Sequence, residues 1–358
     1  MRSRVLATLA ATAIALAPAV PASAYDTLRG IVSVLPDLDD ADSAEFNFMS
    51  PVLQQGWDAR DWVGIGLMEA EMAAFDPGPA IGLVGIDFSQ LDGLAHWGEP
   101  PSTFVYLIGE LDPGAVRDAL LNRPNMEEVP AADVIGELPD DLLVLSEGED
   151  YATDFGARDE DYPFGGGWRA HRIAVGEAAA LVAFAWPDFE LALEATLDPS
   201  TTERQQMWSA LVDAAATASP SGLDAYSAAA VPPRFYTRPA DQGAGDAAQL
   251  PPFDAVMVLG AVGDGWEAAQ FALAYGEVAG AEAAATALAE RLPTANPPIP
   301  ANAKVATHIG AGDEDVVTAV VSVVFASGTS EHRSSEWVQR WINDVYSGRL
   351  EVMLIAGE

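Results

Sequence analysis

The stretch FVYLIGELDPGAVRDALLNR, Phe104–Arg123, is written twice in this chain, the second time as FALAYGEVAGAEAAATALAER, Phe271–Arg291. Each copy passes from an apolar run through a Gly-Glu pair (Gly109-Glu110, Gly276-Glu277) into Ala and Leu at three- and four-residue spacing, ending on Arg. The apolar run reads as a buried strand, the Gly-Glu pair as a tight turn and the spacing as an amphipathic helix. One strand, one turn and one helix are therefore expected in two places.

Outward from the second copy the pattern is regular. Val256–Val262 and Ala269–Tyr275 read as strands around Gly263-Asp264-Gly265, and Ala279–Leu292 as a helix. Lys304–Ile309 and Val316–Phe325 read as two more strands, followed by a helix over Ser335–Tyr346 and a strand over Glu351–Ile355. Setting the first strand aside leaves β-α-β-β-α-β, the ferredoxin-like order. Around the first copy, Ala80–Asp87 reads as a strand, Trp168–Trp186 as a hairpin turning at Gly176-Glu177, and Gln54–Phe75, Asp188–Leu197 and Thr202–Thr217 as helices. The expected fold is α+β, in two related modules, each an antiparallel sheet with helices packed on one face. The expected segments are a leader (1–24), a helical lead-in (25–79), a first module (80–219), a linker rich in Pro, Ala and Gly (220–252) and a second module (253–358).

The run Gly85–Asp87, then Gly98-Glu99-Pro100-Pro101, then the strand with Gly109-Glu110-Leu111-Asp112-Pro113 and Leu120, resembles a pattern of uncharacterised exported bacterial proteins. The resemblance implies export and an α+β build; it implies no activity.

Residues 1–24 read as a secretory signal: Arg2 and Arg4 precede an apolar run from Val5 to Val20, then Pro21 and the small-residue site Ala22-Ser23-Ala24. The run is too short and too interrupted by proline for a comfortable span, so no membrane insertion is expected once the signal is cleaved. With no cysteine there is no lipid-attachment site, disulfide or thiolate nucleophile. The expected location is periplasmic or secreted. Fifty-four acidic against 17 basic residues give a formal net charge of −37, with Lys304 the only lysine. Such a surface repels nucleic acid and anionic membranes, which are bound by Lys and Arg neutralising phosphate. It favours solubility and admits weak divalent cations.

The residue patterns of the common chemistries are missing. No Gly-x-Ser-x-Gly occurs, and His96, His171, His308 and His332 are not spaced as helical metal ligands. The paired glycines are not followed by a phosphate-loop lysine or a third dinucleotide-binding glycine, so no cofactor is expected. Asp37, Asp39, Asp40, Asp42 and Glu45 are spaced like a calcium loop, yet Asp42 and Phe48 stand where such a loop needs Gly and Glu. Three tryptophans near loops, Trp97, Trp168 and Trp266, are candidates for stacking on a ligand. The acidic stretch from Glu147 to Asp161, with Asp154, Asp159 and Asp161, is a candidate loop for a cation or substrate; no metal follows from it. The expected function is non-catalytic binding of a small molecule, peptide or protein partner at the cleft between the modules. The alternatives are a hydrolase using the acidic loop's carboxylates, or a subunit of an envelope assembly.

Overall fold

A computed structural model describes residues 23–38, 45–55, 57, 68–99, 102–130, 133–134, 138–139, 142–154, 156, 162–164, 169–197, 199, 202–220, 222–230, 250–263, 265–294, 299, 302–311, 316–327, 334, 337–339 and 341. Residues 1–22 of the leader, most of the later part of the linker and the strand expected at Glu351–Ile355 lie outside the described residues. The fold is α+β. The chain divides into two compact units, the first made of Met1–Asp39, Asn47–Ala59 and Gly64–Thr201, the second of Asp40–Phe46, Arg60–Val63 and Thr202–Glu358.

The first unit opens with helix α1 (Ala24–Ser33), started by Ser23, whose hydroxyl accepts from the Asp26 amide at 3.2 Å. Strand β1 (Glu45–Met49), of which Asn47–Met49 belong to this unit, and the short helices α2 (Pro51–Gln54), α3 (Met68–Phe75) and α4 (Pro77–Val84) follow. The duplicated stretch then supplies β3 (Ser102–Ile108), paired in a hairpin with β2 (Gly93–Glu99), and helix α5 (Pro113–Leu120). Asp112 caps α5 by accepting from the Gly114 and Ala115 amides, with Pro113 at the first helical position, so that Val116 and Leu120 face inward. β4 (Met126–Glu128), β5 (Leu143–Glu147), β6 (Arg172–Val175), β7 (Ala179–Ala183) and helix α6 (Trp186–Leu197) complete the unit. Its sheet runs β2-β3-β7-β6-β5-β4, each of these pairings antiparallel.

The second unit begins with α7 (Glu203–Ala218), opened by a capping box between Thr202 and Gln205. Strands β8 (Asp224–Ala230), β9 (Ala255–Gly263) and β10 (Trp266–Tyr275), helix α8 (Val278–Arg291), and strands β11 (Lys304–Ala311) and β12 (Val317–Ala326) follow, with helical residues again at 334, 337–339 and 341. The sheet order is β11-β12-β10-β9-β8, antiparallel throughout. β12 lies between β10 and β11, so the crossover through α8 joins two parallel strands with one strand between them, a split βαβ. In the first unit β7 likewise lies between β3 and β6, but the connection from α5 to β6 first passes through β4 and β5, which extend the sheet beyond β6. Hairpin, helix and hairpin thus recur with matching orders, β2-β3-β7-β6 and β9-β10-β12-β11.

Several expectations differ from what is observed. Ala80–Asp87 belongs to helix α4 and the turn after it, not to a strand: Pro77 starts the helix and Gly85, at φ +73°, ends it in the left-handed conformation. A Cβ on Gly85 would lie 2.5 Å from the Ala115 carbonyl oxygen. Of the helix expected over Gln54–Phe75, Gln54 closes α2, Gln55 and Trp57 are not helical and Met68–Phe75 form α3; residues 56 and 58–67 lie outside the described residues. β8 occupies the early part of the expected linker, and β9, set aside in the ferredoxin-like reading, sits beside β10 where that order needs its final strand.

Helices on one face is the largest departure. In β10, Gln270 Nε2 donates to the Ala215 carbonyl of α7 at 3.1 Å, while the next residue, Phe271, stacks on Trp341 with ring centroids 4.2 Å apart. Successive residues of a strand point to opposite faces, so helical residues cover both faces of this sheet. The burial agrees, because all of β10 after Trp266 is buried.

Tyr226 of β8 lies across Gly260 of β9 and donates to Ser334 Oγ at 2.9 Å. A Cβ at position 260 would fall 2.2 Å from the Tyr226 ring. Gly260→Ala should therefore cost about 1–3 kcal/mol by overpacking, read as a lowered urea midpoint with unchanged slope. An unchanged midpoint would mean the Tyr226 ring is free to move.

Candidate functional site

Among the described residues of the first unit, a cluster of titratable side chains stands where β5 and β6 meet, at the two roots of the long connection between them. Glu147 ends β5, and its backbone N–H donates to the carbonyl of His171, just ahead of β6, at 3.0 Å. Alternation along the strand turns His171 to one face and Arg172 to the other. Cross-strand pairs confirm the faces: Arg172, Ala183, Phe104 and Trp97 form one row, and Ile173, Val182, Val105 and His96 the other.

On the His171 face, His171 Nδ1 lies 3.0 Å from Glu147 Oε2, an ion-pair distance off the line of a good hydrogen bond. Its Nε2 is 2.8 Å from the Tyr162 hydroxyl. Arg123, just beyond α5, donates to Glu147 Oε1 at 3.1 Å and lays its guanidinium 3.8 Å from the centre of the Tyr162 ring. Phe164 packs edge-on against Tyr162 and tilted against the His171 ring, with Phe88 beyond it. Burial alone would push the Glu147 carboxyl up; His171 and Arg123 outweigh it and hold the group below its usual value. Burial drives the Tyr162 phenol well above its ordinary range.

On the opposite face the buried guanidinium of Arg172 donates to the carbonyls of Glu147 (2.8 Å) and Gly148 (3.1 Å) and to Asp150 Oδ1 (2.8 Å). The same Asp150 oxygen accepts from the Trp186 amide and so opens α6. Tyr151, at φ +54°, is held by its amide on the Phe184 carbonyl and its hydroxyl on Asp188 Oδ2 at 2.8 Å. The start of the connection is thus fastened on both faces of the sheet.

Carboxylate, imidazole and hydroxyl stand in the order of a hydrolytic triad. The hydroxyl is a phenol buried to 0% exposure, its proton held more tightly than in water. Such a group is a poor nucleophile, and the chain of contacts acts as a lock. A smaller cluster in the second unit does similar work: buried Glu267 accepts from Ser327 Oγ (3.0 Å), the Ser334 amide (2.6 Å) and Ser334 Oγ (3.1 Å). The carboxylate tethers the start of the last helical stretch to β10.

The sequence candidates fall elsewhere. Trp97 lies within β2, not in a loop; it is 1% exposed and its indole N–H donates to the Pro36 carbonyl. Trp266 begins β10 after the Gly265 turn and is 45% exposed. Asp154 is exposed and accepts from the Gly156 amide at 2.9 Å, a local turn. Trp168, Asp159 and Asp161 lie outside the described residues. Among the described residues no group of three or more His, Asp or Glu is placed to hold a metal ion, and no helix is long and apolar enough to cross a membrane. No local spacing in the sequence marks His171, Arg172, Arg123 and Tyr162 as a set. The one signal is His-Arg opening an alternating strand, with nine residues between it and the end of the acidic stretch at Asp161.

Two acid-linked effects follow. Burial lowers His96 from 6.5 to about 4, and its Nδ1 has no partner. The unfolded chain therefore takes up a proton that the fold refuses, and stability should fall by roughly 3 kcal/mol between pH 6.5 and 4; His96→Leu should flatten that loss. Glu147, depressed below 4.5, contributes stability above that pH and loses it as pH falls through the folded value. Glu147→Gln should cost about 1–3 kcal/mol at pH 7 and approach the parent chain in strong acid. Urea titrations at pH 7, 5.5, 4 and 3 check both.

No protein-family model and no curated protein matches the chain. Among solved structures it is similar to TP0453, at a TM-score of 0.39 and 8% identity for crystal form III, covering 88% of this chain and 97% of that one. For form I the values are 0.38, 8%, 88% and 96%, and for form IV 0.37, 7%, 88% and 95%. TM-scores this low transfer neither a fold assignment nor a function.

Proposed function

We propose that the chain is an exported, non-catalytic binding protein made of two related modules, and that it engages a partner through exposed surface of the second unit. One observation carries this reading: the first unit's polar cluster is largely buried, with its charged groups turned on one another, whereas Trp266 stands 45% exposed beside a two-strand turn. Tryptophan offers a large rigid face at low entropic cost, which is why it recurs at binding sites. Its backbone is well anchored, since Trp266 pairs with Gly263 and Ala326 and the Ser327 amide donates to the Gly265 carbonyl at 2.7 Å. The matching strand orders of the two units support their relatedness, and the leader-like residues 1–24 support export to a periplasmic or external location. The partner is a small molecule, peptide or protein.

Native mass spectrometry of the chain, prepared gently from its exporting host, tests the reading. A bound species should appear in the parent spectrum and drop at least tenfold in Trp266→Ala, a change that leaves stability within about 0.5 kcal/mol because the side chain is exposed. Turnover of a hydrolase substrate that survives Trp266→Ala and vanishes in Glu147→Gln would replace binding with catalysis.

A further inference from the structure

Resting on that reading, we infer that the free edge of β11 takes up an extended, positively charged peptide segment as an added strand. Among the described residues β11 ends the second unit's sheet, and it pairs with β12 along its whole length, Lys304 opposite Val324 through Ala311 opposite Val317. Beyond that pairing the described residues give 304–311 one further hydrogen bond, from the Thr318 hydroxyl of β12 itself to the Gly310 carbonyl at 3.4 Å, and no partner on the far side. Every residue of the strand is exposed or half-buried, and Ile309 is 37% exposed. An edge of this kind presents a row of unpaired N–H and C=O groups, which is the template for strand addition.

The edge strand of the first unit shows how such a row is ordinarily closed. β4 has three residues, of which Glu127 and Glu128 are exposed, and Glu128 is held by Arg117 at 2.6 Å. Short length and charge keep other strands away. β11 has eight residues, KVATHIGA, β-branched at Val305, Thr307 and Ile309, with its only full charge at the start. No proline, inward charge or bulge blocks it.

Charge selects the occupant. The chain carries a formal −37, and α8, which packs on β11 and β12, exposes Glu282 and Glu290. A second copy would bring another −37 to the same edge, and an acidic peptide would be repelled in the same way. A segment alternating Lys or Arg with β-branched residues meets all three demands: it satisfies the backbone row, lays apolar side chains against Ile309 and carries the opposite charge.

The test uses the full chain and three octapeptides, Val-Lys repeated four times, Val-Glu repeated four times, and the Val-Lys peptide N-methylated at alternate residues to remove one row of donors. Hydrogen exchange read by mass spectrometry should show the Val-Lys peptide slowing exchange over 304–311 while 126–128 stays unchanged. The N-methylated and Val-Glu peptides should give no protection. Ile309→Lys should weaken the effect at least tenfold with an unchanged melting temperature, and added salt should weaken it further. Absence of protection at millimolar Val-Lys peptide, equal protection by Val-Glu peptide, or slowing that tracks protein concentration without peptide, the mark of a second copy, would each overturn the proposal. A ligand seen by native mass spectrometry with no slowing over 304–311 would remove this edge and leave the binding reading standing. Slowing over 304–311 with no bound species in the exporting host would do the reverse.

Discussion

A strand sends each residue to the face opposite its neighbour's, and in this chain consecutive residues on the central strands must both find a buried place. Gln270 and Phe271 are one such pair, the first tied to a helix carbonyl and the second stacked on an indole ring. His171 and Arg172 are another, an imidazole and a guanidinium buried back to back. Much of the remaining architecture answers this demand. A helix or an aromatic cluster has to stand on either side of each sheet, and every buried polar atom brought in by the alternation needs a partner.

The first unit meets the demand with charge. Arg172 satisfies two carbonyls and Asp150 on one face, while Glu147, His171, Tyr162 and Arg123 close a network on the other. A buried ion pair contributes little net stability, because desolvation consumes most of the attraction, but removing one member leaves a costly charge. What the arrangement secures is definition: the connection leaving β5 is fixed at its root by groups on both faces. The second unit meets the same demand mostly with neutral groups, and the one carboxylate buried among its described residues, Glu267, receives three donors.

Much of the fold could be read from the sequence. The duplicated stretch marks β3 with α5 and β10 with α8, since apolar runs and three- and four-residue spacing are strong local signals. Ala80–Asp87 misled because a short apolar run does not distinguish strand from helix; Pro77 and Gly85, the residues that decide it, lie at its borders. Face coverage was hidden for a different reason. Strands buried on both sides read as continuous apolar runs and carry no record of what covers them. The polar cluster was hidden because its members stand at 123, 147, 162 and 171, assembled by strand pairing rather than by spacing. Trp97 looked loop-bound next to Gly98 and Pro100, yet the hairpin begins earlier and buries it.

Lys304 is the only lysine in 358 residues, and it sits exposed at the first position of β11. Apart from the amino terminus, the molecule therefore offers amine-directed chemistry a single address, with no thiol to compete. Acylation there would remove the one ammonium from a sheet edge and deepen an already large negative charge. A dye, a surface or a cross-linker attached through that amine would always be anchored at the same edge, giving a population of molecules labelled at one place.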